Sequence, residues 1–223
     1  MVAVVFDDKD NIAALQRREA DLVKYRGMDV YFTSGAALAP GAYKCRIVIR
    51  DLETGAAAVA SAATVVAKPA TVGLSLHSPL LLVSGSNFAY LEAAPSRTRD
   101  KLAWTDAYVY DRAKYSPFVG TVPAGSSKIY AALPCSVTGL VAPEVALSAF
   151  LIRSETGEAI PLPLTGLSRA SNVNTEIRLV EISLAGLRAG AYRLYLHGED
   201  AASHSVSYAQ TALVITAEGP IRK

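Results

Sequence analysis

The sequence predicts an all-β protein built as two antiparallel β-sandwiches in tandem. Three observations carry that reading. Apolar and polar residues alternate with period two, clusters of Gly, Pro, Asn and Asp separate the alternating stretches, and one turn-and-strand motif occurs twice. Leu38-Ala-Pro-Gly-Ala-Tyr43 runs into a strand ending at Asp51, and 149 positions later Leu187-Arg-Ala-Gly-Ala-Tyr192 runs into a strand ending at Asp200.

Taken in order, Val2 to Phe6 reads as a short apolar strand, and the Asx-rich Asp7 to Asn11 as a turn. A strand that starts at residue 2 suggests a piece of a longer parent chain. Between Ile12 and Tyr25 the pattern fits a return strand, with a helix through Ile12, Leu15, Glu19 and Leu22 as the competing reading. Val30 to Thr33 is a strand. In the first motif Tyr43, Cys45, Ile47 and Ile49 share one strand face while Lys44, Arg46 and Arg50 share the other, the pattern of a half-buried antiparallel strand. Asp51 to Gly55 turns the chain, and Ala56 to Val66 returns beside it. The alanines there lack a helical charge pattern, so their helix propensity is set aside.

Lys68-Pro69 reads as a linker, which divides the chain into residues 1–67, a partial or small unit marginal for a core of its own, and residues 68–223, a larger sandwich. In the larger unit Gly73 to Val83 alternates before Pro79 and is continuously apolar after it. Further strands are expected at Ser126 to Ala132, Val145 to Arg153, Ile160 to Leu164 and Ile177 to Leu184.

Composition narrows the function classes. The 223 residues are 51% hydrophobic with mean hydropathy +0.26 and a formal charge of +2, which suits a packed core. No basic stripe is present, so neither nucleic acid nor an anionic membrane surface is an expected partner. No stretch of 18 uninterrupted apolar residues and no leader pattern occurs, so the chain reads as soluble and unprocessed, with no membrane insertion. Two cysteines in different units make no disulfide framework. Cys45 reads as a small buried hydrophobe, while the state of Cys135 is open.

Without gaps, residues 38–66 and 187–215 share eight identities in 29 positions, and the faces match as well: Cys45 falls on Leu194, Ile47 on Leu196 and Lys44 on Arg193. With the strand end and polar turn at Phe6 to Asn11 matched to Leu151 to Gly157, the second copy has about 75 extra residues before that point. The first unit therefore lacks the front half that would complete its sandwich.

The pattern Leu-x-Pro-Gly-x-Tyr, an alternating strand, an Asp and a Thr-Gly turn, running from Leu38 to Gly55, resembles fibronectin III-like and immunoglobulin-like domains. The resemblance implies tandem immunoglobulin-like or fibronectin III-like sandwiches in which Tyr43 and Tyr192 are structural corner residues, each bonding back to the backbone. The pairing of such a unit with a Lys-Pro linker and a Leu-Ser-Leu strand also resembles the C-terminal β-sandwich region of bacterial von Willebrand factor A-related secreted proteins. That resemblance, over residues 1–83 and 145–217, implies an extracellular or periplasmic module. Its expected role is as a spacer or protein–protein interaction unit of a larger bacterial surface or secreted protein, with a protein partner or parent-chain domains. The metal-binding Asp-x-Ser-x-Ser of the A domain itself is absent, so ion-dependent adhesion is not implied.

Chemistry-bearing patterns are sparse. Around His197, Asp200 and His204 a strand end and turn could gather zinc ligands, but solvated turn residues are the plainer reading. Asp7, Asp8, Asp10 and Asn11 offer oxygen ligands without the Gly and distal Glu of a calcium loop. No metal or cofactor is expected. There is no Gly-x-Ser-x-Gly elbow and no phosphate-cradling loop, and the chain is expected not to be an enzyme. An alternative to the spacer role is ligand binding, of carbohydrate above all, through Trp104, Tyr108, Tyr110 and Tyr115 in the aromatic-rich segment 104–118.

Overall fold

The computed structural model describes residues 1–68, 72–85, 88–95, 108–118, 120–122, 126–139, 144–171 and 175–216. Among them the chain is all-β, with one 3₁₀ turn at Val23–Tyr25 and no α-helix. In chain order the strands are β1 (Val2–Phe6), β2 (Ile12–Arg17), β3 (Asp29–Thr33), β4 (Gly41–Arg50), β5 (Ala57–Val66) and β6 (Gly73–Leu76). Next come β7 (Leu80–Ser84), β8 (Phe88–Glu92), β9 (Ala94–Pro95), β10 (Tyr115–Pro117), β11 (Thr121–Val122) and β12 (Lys128–Thr138). The remainder are β13 (Val145–Arg153), β14 (Ala159–Leu162), β15 (Leu164–Ser171), β16 (Thr175–Ser183), β17 (Gly190–Asp200) and β18 (Val206–Ile215). Two compact units form: residues 1–69 with 87–106, and residues 70–86 with 107–223.

The first unit carries a sheet in the order β5-β4-β1-β2-β9 and a parallel ribbon of β3 and β8. The segment after Asn11 is a strand rather than a helix, because its backbone completes the β1 hairpin. Val2 faces Arg17 and Val4 faces Leu15, and Arg18 N–H donates to Met1 O at 2.9 Å.

The second unit has one sheet in the order β10-β7-β12-β16-β15, with β6 also on β12, and another in the order β11-β18-β17-β13-β14. Their inward side chains meet in one core, where Ile129, Leu133 and Ile182 of the first sheet and Leu151, Leu194 and Leu213 of the other are fully buried. This is sandwich packing, with period-two alternation deciding which residues enter it.

Two strands depart from the sequence expectation. β12 does not stop at Ala132 but runs through Pro134 to Thr138. Proline is tolerated because it cannot donate where no ladder donor is needed: β7 pairs with Tyr130 to Ala132, β6 with Cys135 to Thr138, and Pro134 lies at the changeover, its carbonyl accepting from His77 N–H at 2.9 Å. The expected strand Ile160 to Leu164 divides. β14 belongs to one sheet and β15 to the other, and the chain crosses at Pro163, whose carbonyl accepts from Ser183 N–H.

Candidate functional site

The sheet β5-β4-β1-β2 of the first unit and the sheet β18-β17-β13-β14 of the second are one construction made twice. On β4 and β5, Tyr43 faces Thr64 and Ile47 faces Ala60; on β17 and β18, Tyr192 faces Leu213 and Leu196 faces Ala209. On the other flank Ala3 and Val5 face Ile47 and Cys45, as Ala149 and Leu151 face Leu196 and Leu194. Gln16 opposite Ala3 answers Leu162 opposite Ala149. The offset of 149 between the two motifs is therefore kept in space as register.

The two turns share a hydroxyl bond, Thr54 and Ser203 standing at matched positions, while their backbone donors differ. Asp51 Oδ1 accepts from Glu53 N–H at 2.9 Å and Oδ2 from the Thr54 hydroxyl at 2.6 Å, while Asp200 Oδ2 accepts from Ser203 N–H at 2.9 Å and from the Ser203 hydroxyl at 2.6 Å. These bonds favour the charged form, led by the Thr54 and Ser203 hydroxyls, and hold both carboxyls below their ordinary range. Each turn closes through a left-handed residue, Gly55 at φ +75° in one and His204 at φ +54° in the other. Before each long strand, Tyr43 Oη donates to Ala39 O at 2.8 Å and Tyr192 Oη to Arg188 O at 2.8 Å.

What differs is the cover. Tyr192, Leu194, Leu196, Ala209 and Leu213 are all buried in the second unit's core. Their counterparts are Tyr43, Cys45 and Ile47, each half-buried, and Ala60 and Thr64, both exposed. Ile49 is 43% exposed, and every β5 residue except Val66 is exposed. Among the described residues of this unit the buried side chains are Ala3 and Gln16 at the β2 end, where Gln16 bonds Ser34 and the Gly35 carbonyl, and Leu91 and Ala93 on and just after β8. Among the described residues both buried apolar clusters belong to the second unit. The face along β4 and β5 is also uncharged, whereas the opposite face carries Arg17, Lys44, Arg46 and Arg50. An uncharged, core-patterned sheet face, largely exposed among the described residues, is the first candidate site.

A second feature is a cleft of about 610 Å³ beside β13, β15 and β16, walled by Leu147, Leu164 and Leu167 and by Arg169 and Arg178. Glu176, buried, is held by both guanidinium groups, with Arg169 at 2.6 Å, and Arg178 also reaches the Val145 carbonyl. Two arginines on one carboxylate, with Glu144 at the rim, leave the cleft nearly neutral.

Of the aromatic residues singled out from the sequence, Trp104 lies outside the described residues. Tyr108, Tyr110 and Tyr115 pack on Leu82, Tyr130, Ala132 and Leu179 on the outer face of β7, β12 and β16. Tyr115 lies 4.7 Å from the Tyr130 ring, and Tyr108 Oη donates to Ser78 O at 2.9 Å. His197 and Asp200 point to opposite faces of β17. His197 packs on Tyr208 outside, while Asp200 is buried inside, with His204 Nδ1 3.8 Å from Glu199 instead. Among the described residues no group of three or more His, Cys, Asp or Glu could hold a metal ion. Cys45 is half-buried, which raises its thiol pKa, and Cys135 is fully buried, which pushes its thiol up to about 12.

No protein-family model and no curated protein matches the chain. A solved structure that resembles part of it is a family 123 glycoside hydrolase from Clostridium perfringens, described for glycolipid glycan hydrolysis. The likeness has TM-score 0.36 at 9% identity and spans 46% of this chain and 23% of that one. The expectation that the chain is not an enzyme is corrected here, since the structure it resembles is an enzyme. At that TM-score the likeness assigns no activity to this chain.

The cleft was not foreseen, because β15 was not recognised and its arginines are nine positions apart in sequence.

Proposed function

We propose that the chain is a β-sandwich assembly module, joining or spacing parts of a larger bacterial surface or secreted protein through contact with another polypeptide. The observation that carries this reading is the β4–β5 face, which has the register and inward pattern of a core face while its side chains are half-buried or exposed among the described residues. Such a face is stabilised when protein covers it, at roughly 25 cal/mol for each Å² of apolar surface removed from water. An immunoglobulin-like or fibronectin III-like construction fits the two tyrosine bonds, and an extracytoplasmic site fits the resemblance to secreted proteins. Sugar recognition around Tyr108 and Tyr115 has less support, since their surfaces are engaged with Ser78 and Tyr130.

Cys45 reports on the face directly. With the folded chain diluted to low nanomolar concentration, Cys45 is expected to react with a thiol reagent within minutes, and Cys135 only on unfolding. A Cys45 that stays unreactive at every dilution until the chain unfolds means that the chain covers its own face, and the assembly reading fails.

A further inference from the structure

We infer that the cleft beside β13 and β15 binds an extended, uncharged polypeptide segment, which adds to the edge of β13 as a strand and closes the side of the sandwich where β14 stops. The cleft is lined by the second unit and shares no residue with the β4–β5 face, so this goes beyond the reading above and is tested apart from it. β14 pairs only with Ala149 to Ile152, and the chain then crosses to the other sheet at Pro163, so Val145 to Ser148 have no strand on that side among the described residues. Arg153 N–H donates to Glu158 O and its carbonyl accepts from Gly157 N–H, both at 2.9 Å, which fixes the β14 side of the strand. Backbone polar groups alternate sides with period two, so Leu151, Ala149, Leu147 and Val145 turn theirs the same way. The Arg178 guanidinium takes the Val145 carbonyl. Leu147 N–H and C=O then face the cleft as a donor and acceptor without a strand partner among the described residues.

The walls suit such a segment. Leu147 comes from one sheet and Leu164 and Val180 from the other, so a strand in the cleft lays apolar side chains against both. Gly166 faces Val180 across the β15–β16 ladder, on the inward side, and a Cβ there would meet no atom within 4 Å. That gap is room for one side chain of the segment. Arg169 is held on Glu176 at 2.6 Å while its side chain stays 53% exposed, so the guanidinium is oriented in advance and its other N–H groups serve a backbone carbonyl of the segment. Two arginines balanced by Glu176 and Glu144 match a segment without net charge, and disfavour a phosphate or other free anion. The volume of about 610 Å³ falls among ligand-sized sites, and a four-residue strand along Val145 to Ser148 is about 13 Å long. Main-chain bonds from a free strand edge, with pockets for alternate side chains, are how sheets take up extended peptides.

The test is selection of random heptapeptides displayed on phage against the full chain, followed by titration of the enriched peptide, made with blocked ends, into isotope-labelled chain. Sequences with alternating apolar residues are expected, and binding should shift the Leu147 amide and Arg169 guanidinium signals. Gly166→Leu, which fills the gap, is expected to weaken binding by about tenfold or more, whereas Thr165→Leu, on the outer face of the same strand, leaves it unchanged. The same peptide N-methylated at alternate residues, in either phase, is read on the parent chain, so the proposal stays testable should Gly166→Leu fail to fold. One phase should lose binding by about tenfold or more and the other keep it, since an added strand pairs through every second residue. No enrichment over uncoated support overturns the proposal, as does a peptide that shifts other signals but not Leu147, or that binds folded Gly166→Leu as tightly as the parent. Equal binding by both methylated forms and the unmodified peptide overturns strand addition. None of these outcomes bears on the β4–β5 face, which Cys45 labelling decides.

Discussion

At the scale of single residues, the duplicated turns give matched pairs of side chains in two environments. Tyr192 is buried and its hydroxyl serves twice, donating to Arg188 O and accepting from Arg153 at 3.1 Å; Tyr43 makes the single bond to Ala39 O at an exposed site. Tyr192→Phe is therefore expected to cost about 1–2 kcal/mol and Tyr43→Phe about 0.5–1 kcal/mol in urea unfolding, and equal costs would count against this account. Asp200 supplies a pH signature. Its carboxyl sits below its ordinary value in the folded chain, so its stabilising effect is complete above the unfolded-state value near 3.8 and is lost as pH falls through the folded value. Unfolding midpoints measured from pH 5 down to pH 2 should drop less steeply in Asp200→Asn than in the parent chain; parallel curves would show that the Ser203 bonds contribute nothing. The alternation, the Asp turns and the paired tyrosines were all readable in the sequence, because each is set by residues within a few positions. The left-handed conformation at His204 was not, since nothing local distinguishes that histidine from an exposed turn residue.

At the scale of elements, register is conserved between the copies while burial is not. Leu196 and Ile47 occupy the same position in the same ladder, one fully enclosed and one half-open. Leu196→Ala is expected to destabilise the second unit by about 2–5 kcal/mol, as cavity formation in a closed core does, while Ile47→Ala in the dilute chain costs the first unit about 1 kcal/mol. Comparable losses measured by chemical denaturation would mean that Ile47 is enclosed too. The strand boundaries that sequence reading missed were those set by partners. Pro134 looked like a strand end, yet its neighbours β6 and β7 part at that residue, and the missing donor costs little. Ile160 to Leu164 looked like one strand, yet it crosses between sheets at Pro163.

At the scale of the whole molecule, the chain combines a unit with a closed core and a unit whose main sheet is largely exposed along β5 among the described residues. Because both buried apolar clusters lie in the second unit, heating the chain should give two transitions, the first releasing Cys45 to thiol reagents and the second releasing Cys135. Release of both thiols in one step would place them in a single cooperative unit.

The sequence by itself determined the fold class, the two-copy plan and the inward and outward faces of the long strands, because period two and turn chemistry are local and repeat at a constant offset. Only the tertiary structure decided which of two register-matched faces is enclosed, and it gathered Arg169, Glu176 and Arg178 at one cleft. Burial depends on what lies about 10 Å across from a strand, and side chains drawn from different strands converge only once those strands are paired.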